Sequence, residues 1–224
     1  MKTKYKIFIA SICFVILLGV AYKQYEEKKL YEEYVSHQIN GEVQRLVIAI
    51  DHSLNIYEEI IDTGKLKKGD ASTISIYSRD ILSIPQELHS VGLQLQRIET
   101  GTFSTTENIA KTAQTISPFF MEMIGYDYLE MDEIDDVLFV LENDPNMRKK
   151  IEHLHELYEL WSSVVKNNLN FNEEEPRTNG ARKQYKDISV KNKEWAHLVI
   201  QLDEATQQFF YEKNIDSIDD LLNE

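Results

Sequence analysis

Two short patterns in this chain have the residue types and spacing for metal chemistry. Glu152-His153-Leu154-His155 and Glu194-Trp195-Ala196-His197 each place a carboxylate three residues before an imidazole. On a helix that spacing brings both groups onto one face. A Glu-x-x-His pair from each of two helices is the core of the ligand set with which helical bundles hold a carboxylate-bridged di-metal centre. Glu152, His155, Glu194 and His197 are therefore the candidate metal ligands. Their surroundings count against them. The apolar stripe through Ile151, Leu154 and Tyr158 leaves Glu152 and His155 at its flank, and Trp195, Leu198 and Leu202 do the same to Glu194 and His197. Ligands of a di-metal centre must project inward, so a solvated face is the weightier expectation, and no cofactor is expected.

Other chemistry has less support. His155-Glu156 opens like a zincin helix, but Glu159 stands where the second histidine is required. The acidic run Asp127, Glu130, Asp132, Glu133, Asp135 and Asp136 lacks the central glycine and ligand order of a calcium loop. It reads as acids gathered near a helix N-terminus, where the macrodipole favours them. There is no glycine-rich phosphate loop and no Gly-x-Ser-x-Gly elbow, and no serine–histidine spacing suggests a triad. No catalytic residue is assigned, and a non-enzymatic protein is expected. Trp161 and Trp195 read as core. Phe209, Phe210 and Tyr211 cannot all point inward, so an exposed aromatic is available there for a partner.

Composition limits the partners. The chain has 224 residues, with 24 Lys and Arg against 38 Asp and Glu. Setting aside Lys2, Lys4, Lys6 and Lys23 leaves 20 basic residues, a body charge near −18. Nucleic acid, whose phosphates need a basic footprint, is excluded as a ligand on this ground. The single cysteine, Cys13, leaves the body without disulfide or thiol nucleophile. Eight glycines and four prolines leave few breakers, which favours long helices. The abundance of Lys, Ile, Glu, Asn and Tyr suggests an AT-rich bacterial genome.

The segment that sets the address is Ile7 to Tyr22, sixteen residues without a charge, with Lys2, Lys4 and Lys6 before it and Lys23 after it. At ~1.5 Å per residue it spans roughly 24 Å, against a hydrocarbon core of ~30 Å. Lys6 and Lys23 can snorkel to the interfaces, with Tyr5 and Tyr22 as interfacial aromatics. An uncleaved signal-anchor is the preferred reading. The rival is a secretory signal cut after Ala21, satisfied by Gly19 and Ala21 but lacking a polar c-region. Lipidation at Cys13 is disfavoured by the branched Ile12 before it. The lysine counts on the two sides nearly tie, so orientation follows from the basic leader: N-terminus cytoplasmic, body outside.

Behind the anchor, apolar spacing predicts helices. Ile39, Val43, Leu46, Ile50, Leu54, Tyr57 and Ile61 predict one from about Lys23 to Asp62, possibly continuous with the anchor, with Thr63-Gly64 as its stop and residues 65–69 as a polar connection. Ile74 to Ile98, at alternating steps of three and four, predicts a second, kinked at Pro85. Ser104 and Glu107 have capping-box spacing for a third, ended by Gly125. A short acidic helix is expected from about Asp132 to Glu142. Asp144-Pro145 predicts the start of a helix to about Asn168. Asn170 to Gly180 reads as loop, a last long helix runs from about Arg182 to Glu212, and Ser217 caps a terminal turn. No strand alternation persists.

The expected protein is all-α: a transmembrane signal-anchor over 1–23, then an antiparallel bundle over 24–224 of about four long helices with short acidic helices beside them. The preferred function is a membrane-anchored extracytoplasmic module for protein interaction or ligand sensing, in an accessory or scaffold role because so little chain precedes the anchor. The alternatives are the di-metal bundle and a secreted helical protein cut after Ala21. An unknown protein partner is expected, and the oligomeric state stays open, with a homodimer among the options.

Overall fold

A computed structural model describes residues 2–99, 106–125, 133–169 and 188–223 and, before Ser11, only the side chains of Tyr5, Phe8 and Ile9. The all-α expectation holds: 83% of the structure is helical. In chain order the elements are α1 (Lys2–Thr63), β1 (Lys65–Lys67), α2 (Lys68–Gln94), α3 (Glu107–Ile124), β2 (Val137–Val140) with a 3-10 turn Leu141–Asn143, α4 (Pro145–Asn168), α5 (Glu194–Lys213) and α6 (Ile218–Leu222).

Cross-helix pairs fix the bundle's register. His52 stacks edge-on with Tyr77, and Lys67 pairs with Glu59, so α2 runs back along α1. Ser162 bonds Asp51 while Tyr57 packs on Tyr158, so α4 is also antiparallel to α1. Trp161 bonds Thr206 and Asn168 bonds Gln201, which makes α5 antiparallel to α4 and parallel to α1. α3 packs on α2 and α5. The stripe expected on α1 is the buried one: Ile39, Val43, Leu46, Ile50, Leu54 and Tyr57. Trp161, Trp195, Tyr57, Tyr158 and Phe120 are the largest fully buried side chains. Each such burial contributes ~2 kcal/mol relative to an exposed side chain.

Local signals set several boundaries. Asp144 caps α4 by accepting from the Met147 N–H at 2.9 Å, with Pro145 in the first turn. Gly64 ends the α1 region at φ +67°, and Gly125 ends α3 at φ +94°. α2 is one helix through Pro85. It stops at Gln94, although its stripe continues to Ile98, because Gln96 turns left-handed at φ +54°. The N–H groups of Arg97 and Ile98 then both return to the Gly92 carbonyl. Gly92 makes that return feasible, since a Cβ there would lie 2.6 Å from Ile98 Cδ1.

The structure corrects four expectations. The Asp132 to Glu142 helix is not formed: Val137–Val140 is a strand, paired antiparallel with β1 as Leu66↔Phe139. A run rich in β-branched and aromatic residues suits a pleated edge, and the small sheet buries Leu66 completely. Residues 65–69 are accordingly a strand and helix start rather than a polar connection. The last long helix begins at Glu194, not Arg182. Residues 182–187 lie outside the described residues, and 188–193 are non-helical because Val190 gives its N–H to Ser36 and its carbonyl to Arg97. Finally, among the described residues no helix is long and apolar enough to cross a membrane. The expected single-pass span is not met on that criterion. Ser104, Gly101, the Asn170 to Gly180 loop, and Asp127, Glu130 and Asp132 of the acidic run lie outside the described residues.

The start of α3 is secured from another helix. Asp203 of α5 is 4% exposed, and its carboxylate accepts from the Ile109 N–H and from Asn108 Nδ2, both at 3.0 Å. A buried carboxylate meeting first-turn N–H groups combines capping with the helix dipole. Asp203→Ala strips the cap and is expected to lower unfolding stability by about 2 kcal/mol in urea titrations; a loss under about 0.5 kcal/mol contradicts this role for Asp203.

Candidate functional site

The four candidate metal ligands are not brought together. Glu152 is tied to Arg148 at 2.9 Å, and His155 Nδ1 lies 3.7 Å from Glu159. Glu194 and His197 are exposed. Glu156 pairs with Lys213, so the first pair stands level with the C-terminal end of α5 while the second occupies its N-terminal turn. At ~1.5 Å per residue, roughly 20 to 30 Å separates the pairs along the bundle. Among the described residues no group of three or more His, Cys, Asp or Glu could hold a metal ion. Metal analysis of full chain purified without chelator is expected to give the same result for the parent and for Glu194→Ala/His197→Ala; metal lost with that double substitution restores the di-metal reading.

The bundle interior carries a polar layer. The Tyr158 hydroxyl lies 3.5 Å from Ser78 Oγ, which donates to the Ile74 carbonyl. Ser75 and Ser117 hydrogen bond at 2.9 Å, and Trp161 donates to Thr206. The hydroxyls of Tyr57 and Ser53 are buried in this layer without a hydrogen bond of regular geometry. Burial raises Tyr57 well above a free phenol, reinforced by the adjacent Tyr158, and burial pushes Tyr158 up to about 12, partly offset by Ser78. Sealed from solvent, these phenols specify packing and cannot reach a substrate.

The most organised polar cluster lies where α1 leaves the bundle. Residues 188–193 form a strap across it, anchored by buried Ile188 and Val190. The Val190 N–H donates to Ser36 Oγ at 2.9 Å, and Arg97 Nε, beyond the end of α2, donates to the Val190 carbonyl at 2.9 Å. Lys191 pairs with Glu32 at 2.8 Å. Hydrogen bonding to Lys191 lowers the Glu32 carboxyl below its ordinary value and raises the lysine. The strap therefore ties the emerging helix to both α2 and the start of α5. Sequence reading missed it, because the pairs span 93 to 159 positions along the chain.

Beyond the strap no element among the described residues covers α1. Lys23 to Glu33 carries the i,i+4 pairs Lys23–Glu27, Lys28–Glu32 and Lys29–Glu33, which support a helix in water. Phe8, Ile9, Ile12, Phe14, Val15, Ile16, Leu17, Leu18 and Val20 are 45% to 66% exposed.

At the other end of the bundle two open grooves adjoin. One, about 540 Å³, runs between α3 and α6 past Asn108, Pro118 and Ile218. The other is bordered by Phe210, Tyr211, Ile215 and Asp216. Of the three neighbouring aromatics, Phe209 and Phe210 are buried and Tyr211 is 80% exposed, as the crowding at that point required of one of them.

No family model, curated protein or solved structure matches this chain.

The buried phenols have a consequence in alkali. An unfolded tyrosine ionises near pH ~10, whereas Tyr158 holds its proton to about 12. Its contribution is fully present below pH ~10 and is lost as pH rises through the folded value, roughly 2 to 3 kcal/mol in all. Urea unfolding at about pH 9 and about pH 11 is expected to fall less steeply for Tyr158→Phe than for the parent. Equal slopes contradict this account of Tyr158.

Proposed function

We propose that this chain is a non-enzymatic, single-pass membrane-anchored module whose helical bundle lies outside the cytoplasm and serves a protein partner in an accessory or scaffold role. One observation carries the reading: an apolar helical segment that nothing among the described residues covers. Phe14 to Leu18 are five consecutive exposed apolar residues. At ~100° per residue they surround the helix, so no single groove on a protein partner covers them, whereas lipid does. Left in water, each such side chain forgoes ~1.5 to 3 kcal/mol.

Extended back through Ala10 and Ile7, the apolar run reaches roughly 24 Å, and snorkelling by Lys6 and Lys23 with local bilayer thinning accommodates the remainder. α1 continues unbroken from Lys2 to Thr63, which supports an anchor joined directly to the bundle over a signal cut after Ala21. The charged stretch Lys23 to Glu33 stands the bundle off the surface, and the strap at Val190 and Lys191 holds that stalk to the body. Support for a protein partner comes from Tyr211 and the grooves beside it, at the end of the bundle furthest from the apolar segment.

Vesicle flotation of the full chain tests the anchor. The parent is expected to float with phospholipid vesicles and to resist alkaline carbonate extraction. Leu17→Lys, which places a charge at the centre of the run at a cost of ~3 kcal/mol, is expected to move a large share of the protein to the soluble fraction. A parent chain that stays soluble without detergent overturns the anchor, and a mature N-terminus at Tyr22 replaces it with the secreted form.

A further inference from the structure

We infer that the apolar end of α1 selects thin bilayers, with a hydrocarbon core of roughly 24 Å, over thicker ones; this rests on the membrane anchor proposed above and names the lipid surroundings that anchor fits. Two rulers on one helix agree. The uncharged run from Ile7 to Tyr22 is bounded in sequence by Lys6 and Lys23, and at ~1.5 Å per residue it is roughly 24 Å long. Tyr5 and Tyr22, 68% and 65% exposed, lie on the same unbroken helix and stand roughly 26 Å apart along its axis. Tyrosine favours the boundary between hydrocarbon and headgroups, so the aromatic pair marks the same two depths as the charges. An average hydrocarbon core is ~30 Å thick.

The helix has no means of making up the difference. A run that is too long is shortened by tilting, whereas tilting a run that is too short widens the gap. Nor does α1 slide inward from the bundle side without cost. The turn after Tyr22 opens with Lys23 paired to Glu27 at 3.6 Å, and Lys28–Glu32 and Lys29–Glu33 follow at 3.8 Å. Drawing these groups into hydrocarbon takes paired charges out of water. The far end of the same stretch is held to the body, since Glu32 also meets Lys191 of the strap at 2.8 Å. α1 contains no proline at which to bend. Snorkelling and thinning of the surrounding bilayer remain, and both demand less the thinner that bilayer is at the outset.

The test is cell-free synthesis of the full chain beside phosphatidylcholine vesicles with either fourteen-carbon or twenty-two-carbon monounsaturated acyl chains, followed by flotation and carbonate extraction. The parent is expected in the carbonate-resistant floated fraction at least about threefold more with the shorter lipid. Lys23→Leu/Glu26→Leu/Glu27→Leu lengthens the uncharged run to position 27, roughly 32 Å of helix. That variant is expected to lose the parent's preference and to insert into the longer lipid better than the parent does. Equal insertion of the parent into both lipids, or a triple variant that inserts into the longer lipid no better than the parent, overturns the thickness match and leaves the anchor standing. A parent that floats with neither lipid, or that carbonate releases from both, overturns the anchor itself and the thickness match with it.

Discussion

Everything in this molecule depends on one helix belonging to two environments. From Ile39 to Ile60, α1 buries a continuous face against α2 and α4, with Val43, Leu46, Ile50 and Tyr57 fully inside. The same helix runs out of the bundle and ends in exposed apolar side chains. An α-helix bends only gently along its length unless a proline or similar device interrupts it, and α1 contains no proline. The direction in which the apolar end points is therefore set by the packing of the buried end.

The strap makes that constraint specific. A helix held only by a greasy stripe can slide or rotate at modest cost, because apolar contacts are non-directional. Directional bonds at the exit point remove that freedom: Val190 to Ser36, Arg97 to Val190, and Lys191 to Glu32. The same logic recurs inside the bundle. Asp203 of α5 completes the first turn of α3, Trp161 of α4 meets Thr206 of α5, and Ser162 of α4 meets Asp51 of α1. Each buried polar group without its partner costs more than the bond is worth, so these pairs penalise a register slip that hydrophobicity alone tolerates.

Much of the fold was legible in the residues. Stripes at steps of three and four located the buried faces of α1 and α2, and Asp144-Pro145 marked the start of α4, because helix period and capping are local properties. The failures come from partners distant along the chain or from a turn back onto the helix. Val137 to Val140 carries spacing compatible with a helix turn, and only pairing with Leu66, some 70 positions earlier, makes it a strand. Ile188 fits a helical stripe until Val190 is claimed by Ser36 and Arg97. Ile98 continues the α2 stripe in phase yet reaches the core by folding back onto Gly92. Of the candidate site, the flank position of Glu152 and His155 was readable from their neighbours. The separation of that pair from Glu194 and His197 was not, because it depends on the antiparallel register of α4 and α5.

The amino-acid sequence by itself determined the helical class, the acidic body, the uncharged run at the N-terminus and the absence of recognisable catalytic spacing. All of these follow from composition and short-range periodicity. Tertiary structure alone decided which polar groups meet: the strap on α1, the borrowed cap of α3, and the phenol layer between α1 and α4. The physical reason is that a side chain's neighbours along the chain fix its helix face, whereas its hydrogen-bond partner and its exposure are fixed by whichever element packs beside it.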